Sequence, residues 1–119
     1  NNCSFNDNNG ITARDYSHRT TVIGNNCSYN NAHGMDVMNC NDFSIINNIM
    51  SHNGKTIVSY SGLYIDSSNN TIITGNVFNG NIYSKGGAGL GFITIALKTK
   101  KDIAVKTVEV SAELSCITV

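Results

Sequence analysis

The sequence predicts an all-β fold, a parallel β-helix of about four coils closed by a C-terminal β-hairpin cap, and three observations carry that prediction. A unit recurs every 22 to 28 residues, each unit holds three short apolar runs, and all nineteen asparagines lie before residue 82. Self-similarity is weighed first because a missed repeat misassigns the whole fold.

The first element of each unit is an asparagine-led run. Asn2-Cys3-Ser4-Phe5-Asn6 returns as Asn26-Cys27-Ser28-Tyr29-Asn30, with looser copies led by Asn48-Ile49 and Asn76-Val77. The lead-to-lead spacings are 24, 22 and 28 residues, the longest absorbing an insertion around Lys55 to Ser61. The second element is a glycine with an alternating segment behind it: Gly10-Ile11-Thr12-Ala13, Gly34-Met35-Asp36-Val37, Gly62-Leu63-Tyr64-Ile65 and Gly89-Leu90-Gly91-Phe92. The third closes the unit as Thr21-Val22-Ile23, Ser44-Ile45-Ile46 and Thr71-Ile72-Ile73. Runs this short, rich in β-branched side chains, cannot form a helical stripe but suit strands. The Asn, Gly, Ser and Asp between them tolerate left-handed turns. Three strands per coil, stacked about 4.8 Å apart, make a parallel β-helix.

Stacking also gives the asparagines a use. An amide at the same turn of successive coils can bond the one above and the one below, avoiding about 1–3 kcal/mol per unsatisfied buried group. The expected column is Asn2, Asn26, Asn48 and Asn76, with Cys3, Cys27, Ile49 and Val77 as an apolar column beside it. Sequons begin at Asn2, Asn26 and Asn69, and the first two would be buried in that column, which argues against their glycosylation.

Composition narrows the function. At 40% apolar and 13% charged residues the chain can build a core. No apolar run approaches the roughly 20 residues of a spanning helix, so no membrane is expected. Eight basic against eight acidic residues leave no net charge, which removes the electrostatic footprint of a nucleic-acid binder. No pair among Cys3, Cys27, Cys40 and Cys116 has C-x-x-C spacing, and Cys3 and Cys27 hold equivalent repeat positions. They read as buried thiols, two disulfides being the alternative in a secreted chain. Gly86-Gly87-Ala88-Gly89-Leu90-Gly91 lacks the acidic ligand of a calcium nonapeptide and precedes a strand-like run, so neither a metal nor a dinucleotide cofactor is implied.

Five of the six lysines follow residue 81, and the net charge changes from −2 before that point to +2 after it. We therefore divide the chain into coils over 1–97 and a cap or subunit-contact segment over 98–119. Val108, Val110, Ala112, Leu114 and Cys116 alternate with Glu109, Ser111, Glu113 and Ser115, the pattern of a half-buried strand that could cover an open solenoid end. At the other end Asn2 already begins a coil, so further coils or another subunit are expected to cover it.

If Ile11, Met35 and Leu63 point inward, two outward rows follow: Thr12, Asp36, Tyr64, and Arg14, Met38, Asp66. Asn9, His33 and Ser61 come just before the glycines. Carboxylate, imidazole, phenol and guanidinium would share one groove. Such a set suits proton abstraction beside a sugar carboxylate, or acid/base glycoside cleavage. Candidate catalytic residues are His33, Asp36, Arg14 and Asp66, and candidate substrate contacts are Tyr64 and Thr12. The plainer alternatives make His33 a turn residue bonding backbone, His18 and His52 solvated loop residues, and Arg14 with Asp15 a surface charge pair.

With these motifs assembled, the sequence resembles the right-handed parallel β-helix superfamily, the pectin-lyase-like fold of polysaccharide lyases, polygalacturonases, alginate epimerases and phage tailspikes, over residues 1 to about 97. His33-Gly34-Met35-Asp36-Val37, followed by Asp42-Phe43 and Asn47-Asn48, is similar to the His-Gly-Phe-Asn/Asp stretch of alginate C5-epimerases. That likeness implies His33 as the acid/base group. The Asp-Pro-His-Glu motif of those enzymes has no counterpart in Gly10-Ile11-Thr12-Ala13-Arg14-Asp15. Asn31-Ala32-His33-Gly34-Met35-Asp36 also resembles the Asn-Thr-Asp-Gly-Ile-Asp stretch of polygalacturonases, with His33 in place of the first acid. The resemblance implies a polysaccharide partner, a lyase, hydrolase or epimerase activity, an extracellular or virion-tail setting and a homotrimer. The alternative from another class is a non-catalytic solenoid, a shaft or adhesin segment.

Overall fold

The computed structural model describes residues 1–54 and 60–81, together with the backbone of strands 91–96 and 116–118. In chain order the strands are β1 (Ile11–Ala13), β2 (Thr21–Ile23), β3 (Met35–Met38), β4 (Ser44–Ile46), β5 (Ile49–Ser51), β6 (Leu63–Asp66), β7 (Ile72–Thr74), β8 (Val77–Asn79), β9 (Gly91–Ala96) and β10 (Cys116–Thr118). They form three sheets, ordered β1-β3-β6-β9-β10, β2-β4-β7 and β5-β8, and all their pairings are parallel. Bridges Asn2↔Asn26↔Ile49 extend the third sheet by the first two coils. Each strand thus lies on the strand one repeat earlier, the topology of a parallel β-helix.

Strand alternation places one set of side chains inside. Met35, Val37, Ile45, Leu63, Ile65 and Ile73 are fully buried from the first two sheets, and Cys27, Met50 and Phe78 from the third. Side chains of this size contribute about 1.5–3 kcal/mol each on leaving water. The repeat glycines have a steric reason. A Cβ on Gly34 would lie 2.6 Å from the Gly62 carbonyl oxygen, 2.7 Å from Asn53 Nδ2 and 2.9 Å from the Cys27 carbonyl oxygen, and Gly10 meets the equivalent atoms one coil earlier.

The asparagine ladder exists with Asn48 and Asn76 in their expected places, its first two rungs fall one position earlier than expected, and it is double. The first column is Asn1, Asn25, Asn48, Asn76, with side-chain amide bonds of 3.0, 3.0 and 3.1 Å. The second is Asn6, Asn30, Asn53, Asn81, with bonds of 2.9, 3.0 and 2.9 Å. Within both columns the main-chain N–H of Asn25, Asn48, Asn6, Asn30 and Asn53 also donates to the Oδ1 of the next rung. Asn2 and Asn26 point outward instead and are exposed. The apolar column is correspondingly Cys3, Cys27, Met50, Phe78, because Ile49 and Val77 stack on Asn26 rather than on Cys27. The spacings become 24, 23 and 28. The closing strand slips likewise: Ser44 lies opposite Ile72, not Thr71. In each case two adjacent apolar residues compete for the inward position, and packing picks the second. With Asn2 and Asn26 exposed, burial no longer argues against modification of their sequons.

The corners are left-handed. Phe5, Tyr29 and His52 have φ of 63°, 61° and 55°, and Gly80 continues the series at 60°. A non-glycine residue pays roughly 1–2 kcal/mol there, and stacking of the rings offsets part of it: Phe5 on Tyr29 at 5.1 Å and Tyr29 on His52 at 4.8 Å, both within 3° of parallel. His52 is exposed at its corner, as expected, and is also a rung of the ring column.

Cys3, Cys27 and Cys40 are free thiols. Burial, with Cys3 adjacent, pushes the Cys27 thiol up to about 12. The expected hairpin segment 98–115, the loop at 86–90 and the boundary at residue 97 fall outside the described residues. The described Cys116–Thr118 adds in parallel to β9 and so extends the first sheet. Among the described residues no helix is long and apolar enough to cross a membrane.

Candidate functional site

The outward rows form as the alternation requires. Thr12 lies opposite Asp36 and Asp36 opposite Tyr64, while Met38 lies opposite Asp66, in a register that continues Arg14 into the second row. At the leading edge of the sheet Asn9, His33 and Ser61 form a third column, since His33 N–H donates to Asn9 Oδ1 at 3.0 Å and Ser61 N–H donates to His33 Nδ1 at 3.0 Å.

Asp36 is the centre of the cluster. Although on the outer face, it is only 1% exposed, because neighbouring coils fold their side chains over it. Its Oδ2 accepts from Arg14 Nη2 and, at 3.1 Å, from Asn9 Nδ2. Asn9 Nδ2 also lies 3.1 Å from Thr12 Oγ1. Arg14 therefore pairs across coils with Asp36 rather than within its own turn with Asp15. Its hydrogen bond with Asp36 and the charge of that carboxylate raise the guanidinium pKa further, while its side chain stays 50% exposed. Among the described residues Asp36 Oδ1 has no hydrogen-bond partner, although it is buried. Such a group costs about 1–3 kcal/mol, and in a structure whose interior amides are so fully paired it marks the place where a donor is wanted.

His33 closes one side of the cluster. Its ring stacks on Tyr64 at 4.9 Å and 25° and meets Tyr60 edge-on at 5.0 Å. Burial lowers its pKa, opposed by the charge of Asp36 and a backbone hydrogen bond at Ser61 and assisted by the charge of Arg14. An Nδ1 that accepts the Ser61 N–H cannot itself hold the proton, so the neutral ring carries it on Nε2. The Ser61 hydroxyl, 3.1 Å from Nδ1, donates to the Leu63 carbonyl at 3.0 Å.

The structure thus gathers Arg14, His33, Asp36 and Tyr64, with Thr12 held through Asn9. Asp66 stands apart in the second row, its carboxylate taking the Ser67 hydroxyl at 2.8 Å. Two participants escaped the sequence reading. Asn9 was legible as the residue before a repeat glycine, and its amide turns out to tie Thr12 to Asp36. Tyr60 sits at the end of the one insertion in the repeat, where periodicity gives no register. Among the described residues no group of three or more His, Cys, Asp or Glu side chains is placed to hold a metal ion.

Fold and cluster together define a parallel β-helix protein with a polar and aromatic patch on the outer face of its first sheet. The chain matches the family model of the right-handed beta helix region over residues 1–95 and belongs to that family. No curated protein and no solved structure matches it.

Proposed function

We propose that the outer face of the first sheet binds a polysaccharide, and that it binds without catalysing. The observation that carries this reading is the buried Asp36 carboxylate with one oxygen committed to Arg14 and Asn9 and the other unpaired. Once a side chain covering Oδ1 moves aside, a sugar hydroxyl supplies the missing donor, the half-exposed Arg14 supplies further N–H groups, and the part of the Tyr64 ring not stacked on His33 offers apolar surface to the C–H side of a pyranose. The tautomer of His33 favours binding over chemistry. With Nδ1 spent on the Ser61 N–H, the remaining nitrogen is an N–H donor and not a general base.

This reading goes with a saccharide-coated surface as the setting, on a virion tail or outside the cell, and with a homotrimer, which sedimentation of the purified chain checks. Affinity electrophoresis through gels containing polygalacturonate, alginate or dextran tests the binding. Retardation by at least one polymer, weakened about tenfold in Tyr64→Ala, supports it; free migration in all three overturns it. Release of unsaturated uronate or of new reducing ends from these polymers would overturn the non-catalytic half and restore His33 as the acid/base group.

A further inference from the structure

Two histidines occupy positions where this solenoid elsewhere uses asparagine. In the column ahead of the first sheet, Asn9 Oδ1 accepts the His33 N–H and His33 Nδ1 accepts the Ser61 N–H, both at 3.0 Å. At another corner His18 Nδ1 accepts the Asn41 N–H at 2.8 Å and Asn41 Oδ1 accepts the Asn69 N–H at 3.0 Å. Amide oxygen and imidazole nitrogen do the same work in these columns. They differ in one respect: the amide oxygen stays unprotonated through the physiological range, whereas the imidazole does not.

We infer that His33 is an acid-sensitive rung, whose protonation at Nδ1 breaks its side-chain link to the next coil at the edge of the groove, beside the main-chain bonds from Gly34 and Met35 that remain, and thereby loosens the groove's hold on a ligand. A proton on Nδ1 faces the Ser61 N–H, donor against donor, so that bond is lost and a cation is left in a site only 9% exposed, with the Ser61 hydroxyl oxygen, 3.1 Å away, as an acceptor. Among the described residues the charged and titratable groups facing the ring are Asp36 from its own coil, Arg14 from the coil before, and Tyr60 and Tyr64 from the coil after. Burial, the largest influence, disfavours the cation and Arg14 adds to it, while Asp36, already paired with Arg14, and a backbone hydrogen bond at Ser61 favour it without outweighing burial. The folded state therefore holds His33 neutral below the ordinary value of 6.5, while the unfolded chain takes up its proton near that value. The stabilisation is complete above pH 6.5 and is lost as the pH falls below it toward the lower folded value. The consequence for a ligand rests on the binding reading; the tautomer and the rung do not.

Nitrogen-15 spectra of the histidine side chains in the full chain test the rung directly, together with amide exchange at Ser61. The amide of Asn48, held by Asn76 Oδ1, provides a reference that does not titrate. The expected result is an unprotonated Nδ1 and a protonated Nε2 on His33 at pH 7.5. Protection of Ser61 should also fall at least tenfold relative to Asn48 between pH 7 and pH 5, and stay level in His33→Asn, which copies Asn9. A protonated Nδ1 at neutral pH overturns the inference, as does Ser61 protection that tracks Asn48 throughout; both are read on the unaltered chain. Gel retardation by the same three polymers at pH 7.5 and 5 separates the two claims. Retardation lost together with Ser61 protection supports release, retardation that persists after protection is gone overturns it, and absence of retardation at both pH values counts against the groove alone.

Discussion

Asn48 and Asp36 are both polar, both buried and both stacked between coils, yet they are treated in opposite ways. Asn48 accepts the Asn25 N–H and side-chain amide, and its own side chain donates to the Val22 carbonyl and Asn76 Oδ1. Asp36 leaves one carboxylate oxygen unpaired. The interior columns use neutral amides, one above another, and waste no donor; the outer cluster uses a charge and leaves it partly unanswered. Among the described residues two buried side-chain oxygens lack a hydrogen-bond partner, Thr71 Oγ1 and Asp36 Oδ1, and the charged one lies on the face with the arginine, the imidazole and the tyrosines.

The contrast can be broken by mutation. Asn48→Ala removes the acceptor of two Asn25 donors and two donors of its own, so at about 1–3 kcal/mol per stranded group it should cost 4 kcal/mol or more in urea unfolding. Gly34→Ala comes next, at about 3 kcal/mol, since the new Cβ meets two carbonyl oxygens that belong to the backbone. Asp36→Ala should change stability by only about 1 kcal/mol despite equal burial. It removes a charge with an unpaired oxygen, and Arg14, half exposed, is left to solvent rather than stranded. The same variant should abolish retardation by polysaccharide. Smallest of all is Asn26→Ala, expected near 1 kcal/mol or below, because its exposed side chain accepts only the Ser28 hydroxyl. Asn25 and Asn26 are neighbours in sequence, and their substitutions should differ severalfold.

Much of this architecture was legible in the amino-acid order. The first three glycine-led runs gave their part of the first sheet with its register intact, so Thr12, Asp36 and Tyr64 fell into one row as the alternation required; the fourth, Gly89-Leu90-Gly91-Phe92, did not, since Leu63 lies opposite Ile93 rather than Leu90. The asparagine-led runs did not, because Asn25-Asn26 offers two candidates for one rung and Ile49-Met50 two for one inward position. The hidden cue was the wider pattern Asn-x-apolar-Ser-x-Asn, in Asn25 to Asn30 and Asn48 to Asn53, which fixes both columns at once. The site was legible as a list and not as a network. Composition cannot say that Arg14 reaches across a coil to Asp36, that Asp66 turns to Ser67, or which nitrogen of His33 is occupied. Those depend on side-chain directions after the coils have stacked.

Both columns depend on Asn25, and not Asn26, resting on Asn48. A double-mutant cycle measures that contact. Alanine substitutions at positions 25 and 48, singly and together, should show a coupling of about 1–3 kcal/mol in unfolding free energy, while the cycle for positions 26 and 48 should close near zero. Coupling that appears between 26 and 48 and vanishes between 25 and 48 would contradict the register on which both columns depend.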